Sequence, residues 1–359
     1  MSAPTALGVV LTTANIVVDG AGVQPGPNTS ANTVVGFEDW IPWRDFNFGT
    51  LVRIFGRELN KQYQGSPQQR ALPKDLSFNN EGTLEDILRK FDIPVVNYCL
   101  ETMAGGPHFA RGSRCGDNDL EPDWSLVSDF CRDPDGRFAN VLPGETKPHD
   151  EWCPSMKDDP RPGKRREWQK VMSQATTYMM HNRSRYGFII TDKYLVTLRL
   201  TRENIGPGLA NNRPRRKTRT AQYASESEGG SGSDHKDDDP LTWAYKDPEY
   251  LIVPWDAHGD KLTVKLTLWF LAMMATHGDR YLDYSYPDLN SWRRDGNGYV
   301  HNTSGAKKSQ LAEGDKEQEP DPDREAREAR EAGNASQAGG SAGGNARPSV
   351  GYNLRPRRG

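Results

Sequence analysis

Between residues 164 and 200 the apolar pattern changes period once, from helical to alternating, and this switch limits the architectures open to the chain. Trp168, Val171, Met172, Ala175 and Met179 recur at helical spacing and predict a helix over about 164–182. Gly187 follows, then Phe188, Ile189 and Ile190, a turn at Asp192 and Lys193, and Tyr194 to Leu200. There Val196, Leu198 and Leu200 alternate with Thr197 and Arg199, the pattern of a β-hairpin. A helix and a hairpin that both carry apolar faces must bury them against further elements, so an all-helical or all-strand domain is excluded. Upstream, Trp124 to Val127 and Asn140 to Lys147 read as short strands flanking the turn Asp133-Pro134-Asp135-Gly136. Helices are expected at 48–63, at 83–103 in two pieces broken by Pro94, and at 262–276. The order points to a mixed α/β (α+β) domain with a central sheet flanked by helices.

Composition decides how much of the chain can belong to that domain. Of 359 residues 35% are hydrophobic, yet 9 Trp, 13 Tyr and 11 Phe are too many for a chain without a core. The polar surplus is concentrated in residues 1–34, 204–240 and 304–359, where large apolar side chains are scarce and charges or glycines abound. Such stretches bury too little surface to offset chain entropy, and they are expected to be disordered. Subtracting them leaves about 230 residues, within the usual range of one domain, spanning 35–303 with an insertion at 204–240. Lys+Arg 46 against Asp+Glu 49 makes the net charge -3, so any attraction to nucleic acid must come from a local patch. One such patch is Arg213, Arg215, Arg216, Lys217 and Arg219, which can contact phosphates or serve an import receptor as a nuclear address. Arg355, Arg357 and Arg358 form a shorter one.

Other classes find no support. Cys99, Cys115, Cys131 and Cys153 lack zinc spacing, and free thiols fit a reducing compartment. The stretch Ala6 to Val18 is interrupted by Thr12, Thr13 and Asn15 with no basic residue before it, unlike a signal peptide. No run reaches the length of a membrane helix. There is no phosphate-cradling glycine-rich loop, no GxGxxG after a strand and no GxSxG elbow. The Asp133 turn lacks the remaining positions of a calcium loop. His149, His181 and His258 have no metal spacing.

The chemistry concentrates instead on the two short strands. Pro122-Asp123 opens the first and Glu145-Thr146-Lys147 closes the second. Residues two apart on a strand share a face, so Glu145 and Lys147 project together and Asp123 joins them if the strands are neighbours. Two carboxylates beside a lysine suit metal-assisted phosphodiester hydrolysis, since oxygen ligands favour Mg²⁺ (or Mn²⁺) and the lysine can orient water or neutralise phosphate charge. Gln174 and Tyr178, one turn apart, lie on one flank of the apolar stripe of the following helix.

This succession of PD, ExK and a QxxxY helix resembles the PD-(D/E)XK nuclease superfamily, in its QxxxY-type branch. The phrases EPDW, NVLPGETKP, QATTYMMHNRSRYGFIITDKYLVTLRL and EYLIVPWDAHG resemble uncharacterised fungal proteins with such a nuclease-like domain, over roughly 120–275. The resemblance implies a restriction-endonuclease-like core acting on DNA. It assigns Asp123, Glu145 and the Thr146 carbonyl to the metal, Lys147 to the attacking water, and Gln174 with Tyr178 to site support or the substrate backbone. It also implies an acid from the first helix, for which Glu101 is the leading candidate and Glu85 or Asp86 the others. A catalytically inactive relative that binds nucleic acid or a protein is the alternative.

Overall fold

Alternation along the central strands shows how the layers are built. In the strand Tyr186–Ile190, Tyr186, Phe188 and Ile190 enter one hydrophobic cluster and Ile189 the other. The same split divides Leu195 from Val196 and Leu198 in the strand Tyr194–Arg199, and Val253 from Tyr250 and Ile252 in Glu249–Pro254. Strands buried on both faces need a cover on each side. The computed structural model describes residues 5–24, 26, 28, 36–66, 68–115, 120–133, 135–203 and 240–319. The chain divides into Met1–Glu317 and Gln318–Gly359, and every described strand and helix belongs to the first unit.

The seven strands of the main sheet are β1 (Ile41–Pro42), β2 (His108–Arg111), β3 (Trp124–Val127), β4 (Gly144–Thr146), β5 (Tyr186–Ile190), β6 (Tyr194–Arg199) and β7 (Glu249–Pro254). Their spatial order is β1, β7, β6, β5, β4, β3, β2. β1 runs parallel to β7 and β4 parallel to β5, while the remaining neighbours are antiparallel, so the sheet is mixed. One face is covered by α1 (Leu7–Leu11), α2 (Phe48–Leu59), α3 (Glu81–Phe91), α4 (Ile93–Glu101) and α6 (Val264–His277). The other face packs against α5 (Pro162–His181), whose Trp168, Val171, Met172, Ala175 and Met179 are all buried. α6 is buried on every side, as befits an apolar helix inside its layer. A smaller sheet holds β8 (Trp292–Asp295), β9 (Gly298–His301) and β10 (Lys307–Lys308).

Several elements fall where their pattern placed them, and the departures have local causes. The expected strand over 140–147 narrows to β4, because the Asn140 side chain replaces strand pairing. Its Oδ1 accepts from the amides of Leu126 and Leu142 at 3.2 Å each, and its Nδ2 donates to the Trp124 carbonyl. The break between α3 and α4 falls at Asp92, and Pro94 sits in the first turn of α4, where its missing N–H costs nothing. Residues 5–24, expected to be disordered, are instead fastened at their carbonyls. Thr263 Oγ1 donates to Leu11, Lys265 Nζ to Ala14 and the Trp255 indole to Ile16. Order also extends past residue 304, through β10 and an ion pair between Lys308 and Asp315. The basic run Arg213 to Arg219, most of the insertion and residues 320–359 lie outside the described residues.

Candidate metal centre

β3 and β4 meet at a single register pair, Trp124 opposite Gly144. The contact is close because Gly144 has no side chain: a Cβ there would come within 2.2 Å of the Phe188 ring. Trp124 and Thr146 turn to the same face, where the indole N–H donates to Thr146 Oγ1 at 2.7 Å in the core. Period two then sends Asp123 and Glu145 to the opposite face. The Thr146 amide donates to Asp123 Oδ2 at 2.8 Å, which fixes the Asp123 carboxylate across the strand gap.

A third carboxylate arrives from α3. Asn80 caps that helix, its Oδ1 accepting from the Thr83 amide at 2.9 Å while the Thr83 hydroxyl accepts from the Asn80 amide. The cap makes Glu81 the first helical residue, a position where an acid also suits the helix dipole. Carboxylate oxygens of Glu81, Asp123 and Glu145 all lie within 4.8 Å of one another, so this trio can hold a metal ion. Octahedral Mg²⁺ with bonds near 2.1 Å separates its oxygen ligands by roughly 3 to 4 Å, so shifts of under about 1 Å suffice for coordination. Glu145 is 1% exposed, and its Oε2 is buried without a hydrogen-bond partner. An orphaned carboxylate oxygen facing two further carboxylates fits a hard cation.

Lys147 is the counter-ion of the cluster. Its Nζ lies 2.8 Å from Glu145 Oε1 and 2.5 Å from Glu81 Oε2. Burial alone would lower its pKa, but Glu145 and Glu81 outweigh that and hold it as an ammonium, raised above its ordinary value. Lys147 is therefore a cation whose N–H groups donate hydrogen bonds to the carboxylates. Burial and the neighbouring Asp123 push Glu145 well above the usual carboxylate range, against the pull of Lys147. Burial and Glu81 push Asp123 up to about 6 despite the Thr146 amide. Three carboxylates facing one lysine are under-neutralised, and the excess is met by proton uptake or by a cation.

Of the helix pair on α5, Gln174 Nε2 donates to the Tyr178 hydroxyl at 3.1 Å, and Gln174 Oε1 is buried without a partner. Burial and then Glu145 raise the Tyr178 pKa to about 12, which places the phenol beside the cluster and keeps it protonated. Glu85, one turn beyond Glu81, binds Arg89 at 2.6 Å, and Arg89 also donates to the Asp123 carbonyl at 3.0 Å. Burial and Asp123 push Glu85 up to about 7.

The structure thus gathers Asp123, Glu145, Lys147, Gln174 and Tyr178, and it corrects the assignment of the first-helix acid. Glu101 is exposed at the far end of α4 and lines a separate cavity, so it is not part of the trio. Asp86 instead makes an exposed pair with Arg111 at 3.7 Å. Glu81 was missed because the helix was expected to begin at 83, leaving Glu81 in the preceding loop. The signal was present in Asn80 and Thr83, a cap pair three residues apart. Thr146 is held by its amide and hydroxyl, and its carbonyl remains an assignment drawn from the resemblance. His149 bonds Asp192 through Nδ1 at 2.9 Å and Asp150 through Nε2 at 3.1 Å, outside the trio. Among the described residues no helix is long and apolar enough to cross a membrane.

Comparison with known proteins returns no match, whether to a family model, a curated protein or a solved structure. Function therefore has to be argued from the geometry.

Proposed function

We propose that the chain is a metal-dependent nuclease-like protein that hydrolyses phosphodiester bonds in DNA, with a restriction-endonuclease-like core. The observation that carries this reading is the convergence of Glu81, Asp123 and Glu145, whose Oε2 is buried without a hydrogen-bond partner, with Lys147 alongside. The arrangement of β3, β4 and β5 around that point, with α5 covering them, supports the fold assignment. Glu81, Asp123 and Glu145 would hold Mg²⁺ or Mn²⁺, which when bound supplies Lewis acidity and lowers the pKa of coordinated water. Lys147, whose ammonium sits beside Glu145 and Glu81, would offer its N–H groups to the phosphate or the attacking water. Tyr178 and Gln174 offer a phenol O–H and an amide at the covered face, suited to holding a phosphate oxygen.

Purified protein is expected to cleave DNA with Mg²⁺ or Mn²⁺, to stop in EDTA, and to lose cleavage on Glu145→Ala with the fold retained. Undiminished cleavage by Glu145→Ala would refute the assignment. One observation favours a second reading, an inactive nuclease-fold module that binds nucleic acid or a protein partner. Lys147 already pairs with both Glu81 and Glu145, so part of the cluster's charge is met without a cation. Absence of cleavage on any substrate, together with absence of divalent-ion binding, would select that reading. Nuclear residence and DNA contact through Arg213, Arg215, Arg216, Lys217 and Arg219 belong to the same proposal and rest on the sequence pattern.

A further inference from the structure

A cavity on the Trp124 side of β3 has a different chemistry from the acidic trio. It has a volume of about 520 Å³, within the range of small-molecule sites, and lies between α4 and the edge strand β2. Its lining is mainly apolar and aromatic, with Tyr98 and Trp124 among its walls, and it carries two guanidinium groups, Arg89 and Arg111, against one carboxylate, Glu101. Tyr98 is 39% exposed, a large aromatic at the rim that the core does not claim. The Arg89 guanidinium lies 4.4 Å from the centre of the Trp124 ring. Its Nη2 is used by Glu85 and the Asp123 carbonyl, whereas Nε and Nη1 have no acceptor. Among the described residues Arg111 pairs with Asp86, at 3.7 Å between two exposed side chains, a weak pairing.

We propose that this cavity seats one nucleoside monophosphate unit, its base against Tyr98 and its phosphate toward Arg89 and Arg111. The ligand combines a flat apolar body with negative charge, because the walls offer aromatic surface together with two guanidinium groups, Arg89 with buried Nε and Nη1 lacking an acceptor and Arg111 in a weak exposed pairing with Asp86. Arg89 links the cavity to the strand that carries Asp123: it lines the cavity and donates to the Asp123 carbonyl, while the Asp123 carboxylate turns to the opposite face of β3 from Trp124. The edge of β2 is not free to add a strand at this point: Asn97 accepts from the Phe109 amide at 2.8 Å and donates to its carbonyl at 3.0 Å. The cavity is thus shaped for an inserted ring and not for an added strand. The proposal deepens the nuclease reading, giving the substrate a subsite, but its binding step needs no metal.

The test uses the full chain in EDTA, with 2-aminopurine deoxyribonucleoside 5′-monophosphate as probe and quenching of its fluorescence as readout. Saturable quenching is expected. Tyr98→Ala and Arg111→Gln, both at exposed side chains, should each weaken it by at least about fivefold without changing the melting temperature, the low end for one lost stack. The nucleoside without phosphate should bind more weakly than the nucleotide. A single-stranded trinucleotide that competes at least tenfold better than the nucleotide marks a unit of a strand, and equal competition marks a free nucleotide; both sustain the subsite. No saturable quenching, or quenching unchanged in both variants, overturns it. Glu145→Gln separates the two readings: it should abolish cleavage and leave probe binding intact. Cleavage without probe binding sinks the subsite alone, and probe binding without cleavage sinks the nuclease reading alone.

Discussion

Replacing Asp123 by Asn should make the metal-free protein more stable, although it removes a residue of the proposed metal centre. In the folded chain the Asp123 carboxyl is pushed from an ordinary 3.8 up to about 6, by burial first and by Glu81 second. Each pH unit of that displacement corresponds to about 1.4 kcal/mol, so ionised Asp123 costs the fold ~3 kcal/mol. The sign follows from the direction. Below about pH 4 the group is protonated in both folded and unfolded chains and the cost is absent; it grows through pH 4 to 6 and is complete above. Asn cannot ionise, yet its Oδ1 can still accept from the Thr146 amide, a bond weakened by about 1 kcal/mol once the acceptor is neutral. The net gain above pH 7 is about 2 kcal/mol, or about 4 to 8 °C in melting temperature for a domain of this size. Urea unfolding of both proteins in EDTA at pH 4.5 and 7.5 measures it. Adding Mn²⁺ should reverse the order, since a ligand at a hundredfold its Kd stabilises only the protein that binds it, by about 2.7 kcal/mol. A variant less stable than the parent at pH 7.5 in EDTA, or a stability difference identical at the two pH values, would refute the electrostatic reasoning.

Four further outcomes are expected. Glu81→Gln should weaken Mn²⁺ binding, followed by calorimetry, at least about tenfold, whereas Glu101→Gln should leave it unchanged; the reverse would restore Glu101 to the site. Lys147→Met should destabilise the fold by about 3 kcal/mol where Glu145 is ionised and by progressively less as the pH falls, because protonation of Glu145 relieves the unpaired charge. Gly144→Ala drives a methyl into the Phe188 ring and should cost about 3 kcal/mol in denaturant unfolding, with a loss below about 1 kcal/mol showing that the strands can separate. Alanine at Arg213, Arg215, Arg216, Lys217 and Arg219 should move a fluorescent fusion out of the nucleus or flatten the salt dependence of DNA binding by about 0.9 per lost contact, and no change in either would leave the run without a role.

What could be read from the sequence was local. Glu145 and Lys147 are two residues apart, Gln174 and Tyr178 four, and each spacing alone puts its pair on one face. The α5 helix and the hairpin of β5 and β6 carry their apolar period within a dozen or so residues, and both were legible. Glu81 was not, because its partner Lys147 lies 66 residues away and nothing in the α3 sequence marks which acid will face a distant strand. The two edge strands escaped for a related reason. β1 has two residues, and the outer edge of β2 is completed by a side chain, Asn97, and not by another strand, so neither shows a sustained alternation. The order of residues 5–24 was equally hidden. Their carbonyls are held by Trp255, Thr263 and Lys265, some 240 to 250 residues distant, while their own composition resembles a linker.

The electrostatics of the trio bear on function more directly than its motif does. A purely structural ion pair would match one acid to one base, and Arg199 with Glu249 at 2.5 Å shows that this chain builds such pairs. At the β3–β4 junction it instead places three carboxylates against a single lysine and leaves Glu145 Oε2 without a donor. Glu85 and Arg89 add a further acid and base one turn on, and Arg89, bonded to Glu85 and the Asp123 carbonyl, lowers the Asp123 carboxyl less than burial and Glu81 raise it. Burial and like-charge repulsion together make ionised Asp123 cost the fold ~3 kcal/mol, a cost that a cation bound to the trio would offset. The instability and the proposed activity are then two consequences of one arrangement, and the variant that relieves the first should lose the second.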